Sequence, residues 1–123
     1  HLKPIQSRFQ IMEEQKKVYQ VVITQPAKDA FFEILEYLLE QYSYERAEEI
    51  SNELNNLVNS LVSQPYRGSK ELRLISRIND YRFLLYKRSN RADIKIIYFI
   101  DKQKELVYIT DFFPTEKDDQ KIN

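Results

Sequence analysis

The chain has 123 residues, of which 42% are hydrophobic, and its 19 basic and 19 acidic residues give a formal net charge of zero. This length suits a single domain with one core. The chain has no cysteine, so disulfides and thiolate metal sites are excluded, and its one histidine, His1, leaves little scope for histidine chemistry; we expect no metal and no cofactor. No apolar run approaches the roughly 20 residues of a membrane span, and we expect a soluble, cytoplasmic protein without membrane contact.

The charges are segregated along the chain. Residues 29–53 carry eight acidic residues and a single base, Arg46, whereas residues 67–95 carry nine bases and three acidic residues. Such a basic segment suits phosphates or an acidic protein partner. The alternative interpretation is that solvated faces of opposite sign serve only solubility.

The N-terminal half predicts a strand and a helix. Residues 1–17 have no sustained period and indicate an N-terminal extension, with Met12 as a candidate start. The β-branched residues of 18–24 predict a strand, and Pro26 suits the first turn of the helix that follows. Apolar residues at three- and four-residue spacing predict that this helix runs over 26–41.

A second helix is predicted to follow immediately. Ser43 suits its N-cap, and the apolar spacing continues to about residue 63. Two helices with so short a link pack as an antiparallel hairpin. Four asparagines of this helix are expected on its solvent side, with a partner-facing surface as the alternative: Asn52, Asn55, Asn56 and Asn59.

The C-terminal half predicts strands. Pro65 ends the second helix, Gly68 marks a turn, and residues 71–76, 81–87, 93–101 and 106–113 have the composition of four strands. Short connections favour antiparallel neighbours. The predicted fold is α+β, in the order β-α-α-β-β-β-β, with one domain over 18–113 and a polar tail over 114–123.

The order and spacing of several short motifs resemble the RelE/ParE superfamily of toxins from bacterial type II toxin–antitoxin systems, also called plasmid stabilisation proteins. The resemblance covers residues 19–122 and is closer to the ParE-like branch. The matching marks are YQVVIT (19–24) before Pro26, then Tyr37, Ala47, Leu61, Pro65 and Gly68, followed by YRFL (81–84), IYFID (97–101) and VYITDF (107–112).

In the ribonuclease branch, the resemblance implies a catalytic role for Arg82, Glu71 and Arg73, which would hold the scissile phosphate and supply a general base. From the residues alone, Arg82 has an alternative interpretation as a partner of a carboxylate such as Asp111, and Glu71 as a solvated turn residue. The chain departs from this branch at the end of its last strand, where phenylalanine replaces the usual proton-transferring side chain. A tyrosine would have to substitute, and the candidates are Tyr81, Tyr86, Tyr98 and Tyr108.

The ParE-like branch does not need those groups, and several of its members act on DNA gyrase. For this branch the residues expected to bind a target or an antitoxin are Arg77, Lys87, Arg88, Lys95, Phe112 and Phe113. The resemblance implies a cognate antitoxin that wraps the toxin, in a dimer or heterotetramer. Three functions remain open: a toxin that binds a target such as gyrase, a ribosome-dependent mRNA endoribonuclease, and a degenerate member that binds only antitoxin.

Overall fold

The computed structural model describes residues 18–74, 77–88 and 93–115. Two helices and a five-stranded sheet form two layers, in the predicted α+β order of one strand, two helices and four strands. The predicted extension over 1–17 and the tail from residue 116 lie outside the described residues, and Pro114 is the last residue of the final strand.

The helical hairpin forms as predicted. Helix α1 (Gln25–Gln41) begins at Thr24, whose hydroxyl accepts a hydrogen bond from the Ala27 amide. Helix α2 (Tyr44–Ser60) begins at Ser43, whose hydroxyl accepts from the Arg46 amide. These caps satisfy amides that have no partner within the helix. Within the described residues, neither helix combines the length and the apolar character needed to cross a membrane.

The strands are β1 (Gln20–Ile23), β2 (Ser69–Lys70), β3 (Tyr81–Lys87), β4 (Asp93–Asp101) and β5 (Leu106–Pro114). Their order across the sheet is β1-β5-β4-β3-β2. Strands β2 to β5 pair antiparallel with their neighbours, as predicted. β1 pairs parallel with β5, so the first and last strands lie side by side.

The strand predicted over 71–76 is wrong for residues 71–74. The ladder with β3 is formed by Ser69 and Lys70 and ends when the Glu71 amide donates to the Tyr81 carbonyl. Leu72–Leu74 then form a 3₁₀ turn, in which the Leu74 amide donates to the Glu71 carbonyl. The turn places the Glu71 side chain against the sheet, where it pairs with Arg73 and Lys95. Residues 75 and 76 lie outside the described residues.

One face of the sheet packs on the helices and forms a single core. The core joins Ile34 and Leu38 of α1 and Ile50 and Leu54 of α2 to buried residues of β3, β4 and β5. The Phe31 ring meets the Phe112 ring edge to face, with 5.3 Å between centroids. The two helices therefore cover the sheet through both of their apolar stripes, as predicted from their spacing.

Within residues 18–74, 77–88 and 93–115, no helix covers the opposite face of the sheet, and we call it the open face. Because directly paired residues share a face, the register places three rows of residues on it: Val22, Tyr108, Phe99 and Tyr81; Asp111, Ile97 and Phe83; Phe113, Lys95 and Leu85.

A bulge in β5 decides which residues reach the open face. Ile97 pairs with Asp111 but Tyr98 pairs with Ile109, so Thr110 has no residue opposite it. The extra residue reverses the alternation that follows. As a result Phe112 turns into the core with 3% of its surface exposed, while Phe113 turns to the open face.

Candidate binding site on the open face

A buried carboxylate organises the charged part of the open face. Glu71 is 4% exposed, and its Oε1 accepts from the Arg73 Nε at 2.8 Å while its Oε2 lies 3.7 Å from the Lys95 Nζ. The two cations lie on aromatic rings, Arg73 over Phe113 at 5.1 Å and Lys95 over Phe83 at 4.5 Å. Glu71 thus holds both cations against the sheet, and its interpretation as a solvated turn residue is wrong.

Arg82 does not join this cluster. It pairs across strands with the fully buried Tyr98 and so projects to the helix-covered side. Its Nη1 donates to the Gly68 and Tyr66 carbonyls at 3.0 and 3.2 Å, and its Nε donates to the Asp80 Oδ2 at 3.1 Å. The side chain is 16% exposed. Arg82 therefore ties the 65–70 segment to β3, and the structure does not bring the three candidate catalytic residues together.

The carboxylate that pairs with Arg82 is Asp80, two residues earlier in the chain, rather than the Asp111 considered from the sequence. Asp111 lies on the open face opposite Ile97. The prediction that Arg82 pairs with a carboxylate is therefore confirmed, but the partner is Asp80 and not Asp111.

The four candidate tyrosines divide between the two faces. The buried Tyr98 hydroxyl donates to the Pro65 carbonyl and accepts from the Gly68 amide, and burial raises its pKa. The Tyr86 hydroxyl donates to the Glu53 carboxylate, and burial together with this hydrogen bond raises the pKa of Tyr86 to about 12. Both serve packing on the helix side. Tyr81 and Tyr108 lie on the open face.

Tyr81, Phe99 and Tyr108 form an aromatic row across three strands. Phe99 stacks on Tyr108 at 4.9 Å between centroids, and Tyr81 meets Phe99 edge to face at 5.3 Å. All three side chains are half-buried. The open face therefore combines an aromatic row with the charged cluster of Glu71, Arg73 and Lys95.

The remaining binding candidates are spread over the molecule. Arg77 is exposed beyond the 3₁₀ turn, and Lys87 is exposed at the end of β3. Lys95 and Phe113 lie on the open face, whereas Phe112 lies in the core. Arg88 lies on the helix side, where its guanidinium packs over the Tyr37 and Tyr42 rings and donates to the Tyr42 hydroxyl at 3.0 Å.

Arg88 lines a groove of about 320 Å³ between α1 and the ends of β4 and β5. Ile34, Leu38 and Phe112 form apolar parts of its wall, and Glu33 and Asp111 also line it. Its volume is near the lower end of the range for ligand pockets. The groove opens beside Phe113, so it adjoins the open face.

Sequence reasoning grouped Glu71 with Arg73 but did not join Lys95 to them. It missed Phe83 as a ring beneath Lys95, and it missed Asp80 and Tyr66 as partners of Arg82. The spacing of Asp80 and Arg82, two residues apart, was the available signal for that pair. For Lys95 and Glu71 the chain offers no local signal, because 24 positions separate them and only the sheet register brings them together.

These features define the class of protein: a small two-layer α+β domain whose open face carries aromatic residues and the cations Arg73 and Lys95, which suits binding to another macromolecule. A family model for the ParE toxin of the type II toxin–antitoxin system parDE matches residues 21–119. The chain belongs to this family of type II toxin–antitoxin toxins, and membership implies an antitoxin partner. No curated protein shows a significant match to the chain.

Proposed function

We propose that this protein stops growth by binding an essential cytoplasmic target through its open face, with DNA gyrase as the first candidate, and that a cognate antitoxin neutralises it. The observation that carries the proposal is the composition of that face. Aromatic residues and arginine are enriched at protein interfaces, and a sheet face with so many apolar side chains gains free energy when a partner covers it.

The charge of the open face indicates the chemistry of the partner. Glu71 is buried, whereas the Arg73 side chain is about half exposed and Lys87 is exposed at the end of β3. An acidic surface with apolar side chains complements this arrangement. We propose the groove beside Phe113 as a second contact for the antitoxin, which suits a segment that wraps the toxin.

The ribonuclease alternative has one favourable observation. Glu71, Arg73 and Lys95 converge on the open face, where Tyr81 and Tyr108 also lie. Against it, the Glu71 carboxylate is already occupied by two cations, and Arg82 projects to the other side of the sheet. A member that binds only antitoxin is the third alternative.

The test is brief induction of the chain in bacterial cells without antitoxin, with mapping of new mRNA ends and of gyrase-linked DNA breaks. We expect growth to stop with intact mRNA and with trapped gyrase–DNA breaks. Cuts within translated codons before growth slows would support the ribonuclease instead. If the culture grows normally and contains soluble protein, the remaining interpretation is a member that binds only antitoxin.

Two arginine variants make this test specific. Arg73 and Arg46 each pair with a glutamate and have partly exposed side chains, but Arg73 lies on the open face and Arg46 on α2. Arg73→Ala should weaken growth inhibition, and Arg46→Ala should leave it unchanged. Equal effects of the two variants would contradict a target-binding role for the open face.

The antitoxin and the assembly are tested together. Co-expression with a small protein encoded beside this chain should restore growth, and light scattering of the purified pair should give the mass of a dimer or a heterotetramer. A neighbouring protein that forms no complex would not be the antitoxin.

A further inference from the structure

A second apolar surface lies on the helical hairpin, away from the open face. Phe32 and Leu39 of α1 are 59% and 46% exposed, and Tyr44 at the start of α2 is 68% exposed. Phe32 and Leu39 are seven residues apart, so they lie on one side of α1 and about 10 Å apart along it. The tight link between the helices brings the first turn of α2 beside the last turn of α1. We call Phe32, Leu39 and Tyr44 the hairpin face.

The hairpin face continues into an apolar cleft of about 250 Å³. Ile23, Phe31, Phe32 and Phe112 line the cleft, with Lys28 and Asn55 also at its wall. Asn55 belongs to α2, so the cleft lies where β1, α1 and α2 meet. Its volume suits one large apolar side chain, since an open cleft of this size admits an anchor residue from a partner.

Carboxylates border the hairpin face. Asp29, Glu33 and Glu36 surround Phe32 at positions −3, +1 and +4, and Glu36 and Glu40 stand at −3 and +1 from Leu39. All four are exposed. Glu48 is exposed seven residues before Asn55, on the same side of α2. Lys28 is a basic residue of this surface, but the five carboxylates outnumber it. The net charge of the hairpin face is therefore negative.

We propose that the hairpin face binds a basic amphipathic helix of a protein partner. Two antiparallel helices present a shallow groove in which a third helix packs, with apolar anchors spaced by one or two turns. An anchor side chain of that helix enters the cleft beside Phe32, and its lysines or arginines face the carboxylates of α1 and α2. This interface is separate from the open face and does not depend on the proposed function.

A second copy of this chain fits the surface less well. Arg73, Lys87 and Lys95 lie outside the hairpin face, so a copy that docked through them would leave its own hairpin face exposed to the next copy. Such a head-to-tail contact does not close unless its rotation forms a ring. Two hairpin faces meeting symmetrically would oppose carboxylate to carboxylate, which is unfavourable.

The experiment uses the purified chain and a fluorescein-labelled 14-residue helical peptide of leucine and lysine, with a leucine–glutamate peptide of the same pattern for comparison. Fluorescence anisotropy should show binding of the lysine peptide that weakens as salt increases. Phe32→Ala should weaken this binding at least tenfold, and Glu36→Gln with Glu40→Gln should weaken it severalfold and reduce its salt dependence. All three changes are at exposed positions, so the fold is retained.

The matched control is Leu72→Ala, because Leu72 is an exposed apolar residue on the other side of the molecule. It should leave binding of the lysine peptide unchanged, and binding of the glutamate peptide should not depend on Phe32. Absence of lysine-peptide binding, or binding that Phe32→Ala leaves intact, would overturn the proposal. Self-association of the chain that Phe32→Ala abolishes in sedimentation would also overturn it, since the occupant would then be a second copy.

Discussion

Arg82 illustrates how a residue that suggests catalysis can serve the fold. Its three hydrogen bonds join β3 to two carbonyls of the 65–70 segment and to Asp80. Hydrogen bonds to a charged group typically contribute about 1.5–3 kcal/mol when partly buried. If substitution of Arg82 abolished toxicity, the cause could be the loss of a functional group or the loss of fold stability. The stability of the variant must therefore be measured together with its toxicity.

Arg82→Ala should lower the free energy of unfolding by about 2 kcal/mol, because two carbonyls lose a charged donor. Urea unfolding at pH 7 measures the change. Arg77→Ala, at an exposed position in the same region, is the control and should stay within about 0.5 kcal/mol of the wild type. Equal unfolding midpoints for the two variants would show that Arg82 is not structural.

Tyr86 predicts a pH effect. Its pKa of about 12 in the folded protein lies above the usual 10, so the neutral phenol favours the folded state. This contribution is complete below pH 10 and is lost as the pH rises from about 10 towards 12, where the unfolded chain releases the proton first.

Tyr86→Phe should cost about 1 kcal/mol at pH 7, because the hydrogen bond to Glu53 is lost. The variant should lose less stability than the wild type between pH 9 and pH 11. Urea unfolding across this range tests both statements, and Tyr19 and Tyr98, whose pKa values are also raised, remain in both proteins. Parallel stability curves for the two proteins would contradict the raised pKa.

At the scale of elements, the segment between α2 and β3 depends on close approach of the backbone to the sheet. A Cβ on Gly68 would lie 2.5 Å from the Tyr98 hydroxyl oxygen and 2.7 Å from the Phe83 carbonyl oxygen. Neither atom belongs to a flexible chain end, since Tyr98 is fully buried and Phe83 is in a strand. Gly68 has extended backbone angles, so the requirement for glycine is one of space.

Gly68→Ala should therefore destabilise the protein by about 1–3 kcal/mol, the usual cost of overpacking. Tyr98→Phe removes the hydroxyl and should be destabilising alone. In the double variant the loss of stability should be smaller than the sum of the two single losses, because the clash between the new Cβ and the Tyr98 hydroxyl disappears. Thermal unfolding of the two single variants and the double variant measures this coupling. Strict additivity would show that the Tyr98 hydroxyl does not limit the space at Gly68.

The order of the elements was predictable, because the apolar period changes from about 3.6 to 2 along the chain and Pro26, Ser43 and Pro65 mark the ends. The turn that replaces the predicted strand at residues 71–74 was not predictable. Leucine and arginine alternate there as in a strand, but the ion pairs of the buried Glu71 stabilise a turn instead. The two-residue β2 was missed because its pairing depends on β3, with no signal in Ser69 or Lys70 themselves.

At the scale of the whole molecule, a single core joins both layers. Leu38 of α1 and Ile109 of β5 both belong to it, with 1% and 0% of their surfaces exposed. Helix and sheet should therefore unfold together in one transition. The charge is divided between the layers as well, with acidic residues on the hairpin and basic residues around the sheet, so the two proposed interfaces select partners of opposite charge.

Leu38→Ala and Ile109→Ala should each lower the free energy of unfolding by about 2–5 kcal/mol. In both variants the helical circular dichroism and the tyrosine fluorescence should change at the same denaturant concentration. Ile78→Ala is the control, since Ile78 is fully exposed, and it should be nearly neutral. Separate transitions for the two signals would mean that the hairpin and the sheet are independent units.

The candidate site was only partly predictable from the residues. Glu71, Arg73, Lys95 and Phe113 were all singled out, yet their meeting at one point depends on the pairing of β3, β4 and β5. Arg82 was grouped with Glu71 and Arg73, and the register places it on the opposite side. Phe112 and Phe113 were treated alike, and the bulge at Thr110 separates them by turning one into the core and one outwards.

The sequence by itself determined the α+β class, the helical hairpin, the three long strands, the separation of charge and the family, because these follow from local periodicity, capping residues and motif order. Only the tertiary structure decided which side chains share a face and which carboxylate is buried. Strand side chains alternate with a period of two, so a single bulge or a shift of register by one residue exchanges the faces. No local pattern in the chain encodes that choice.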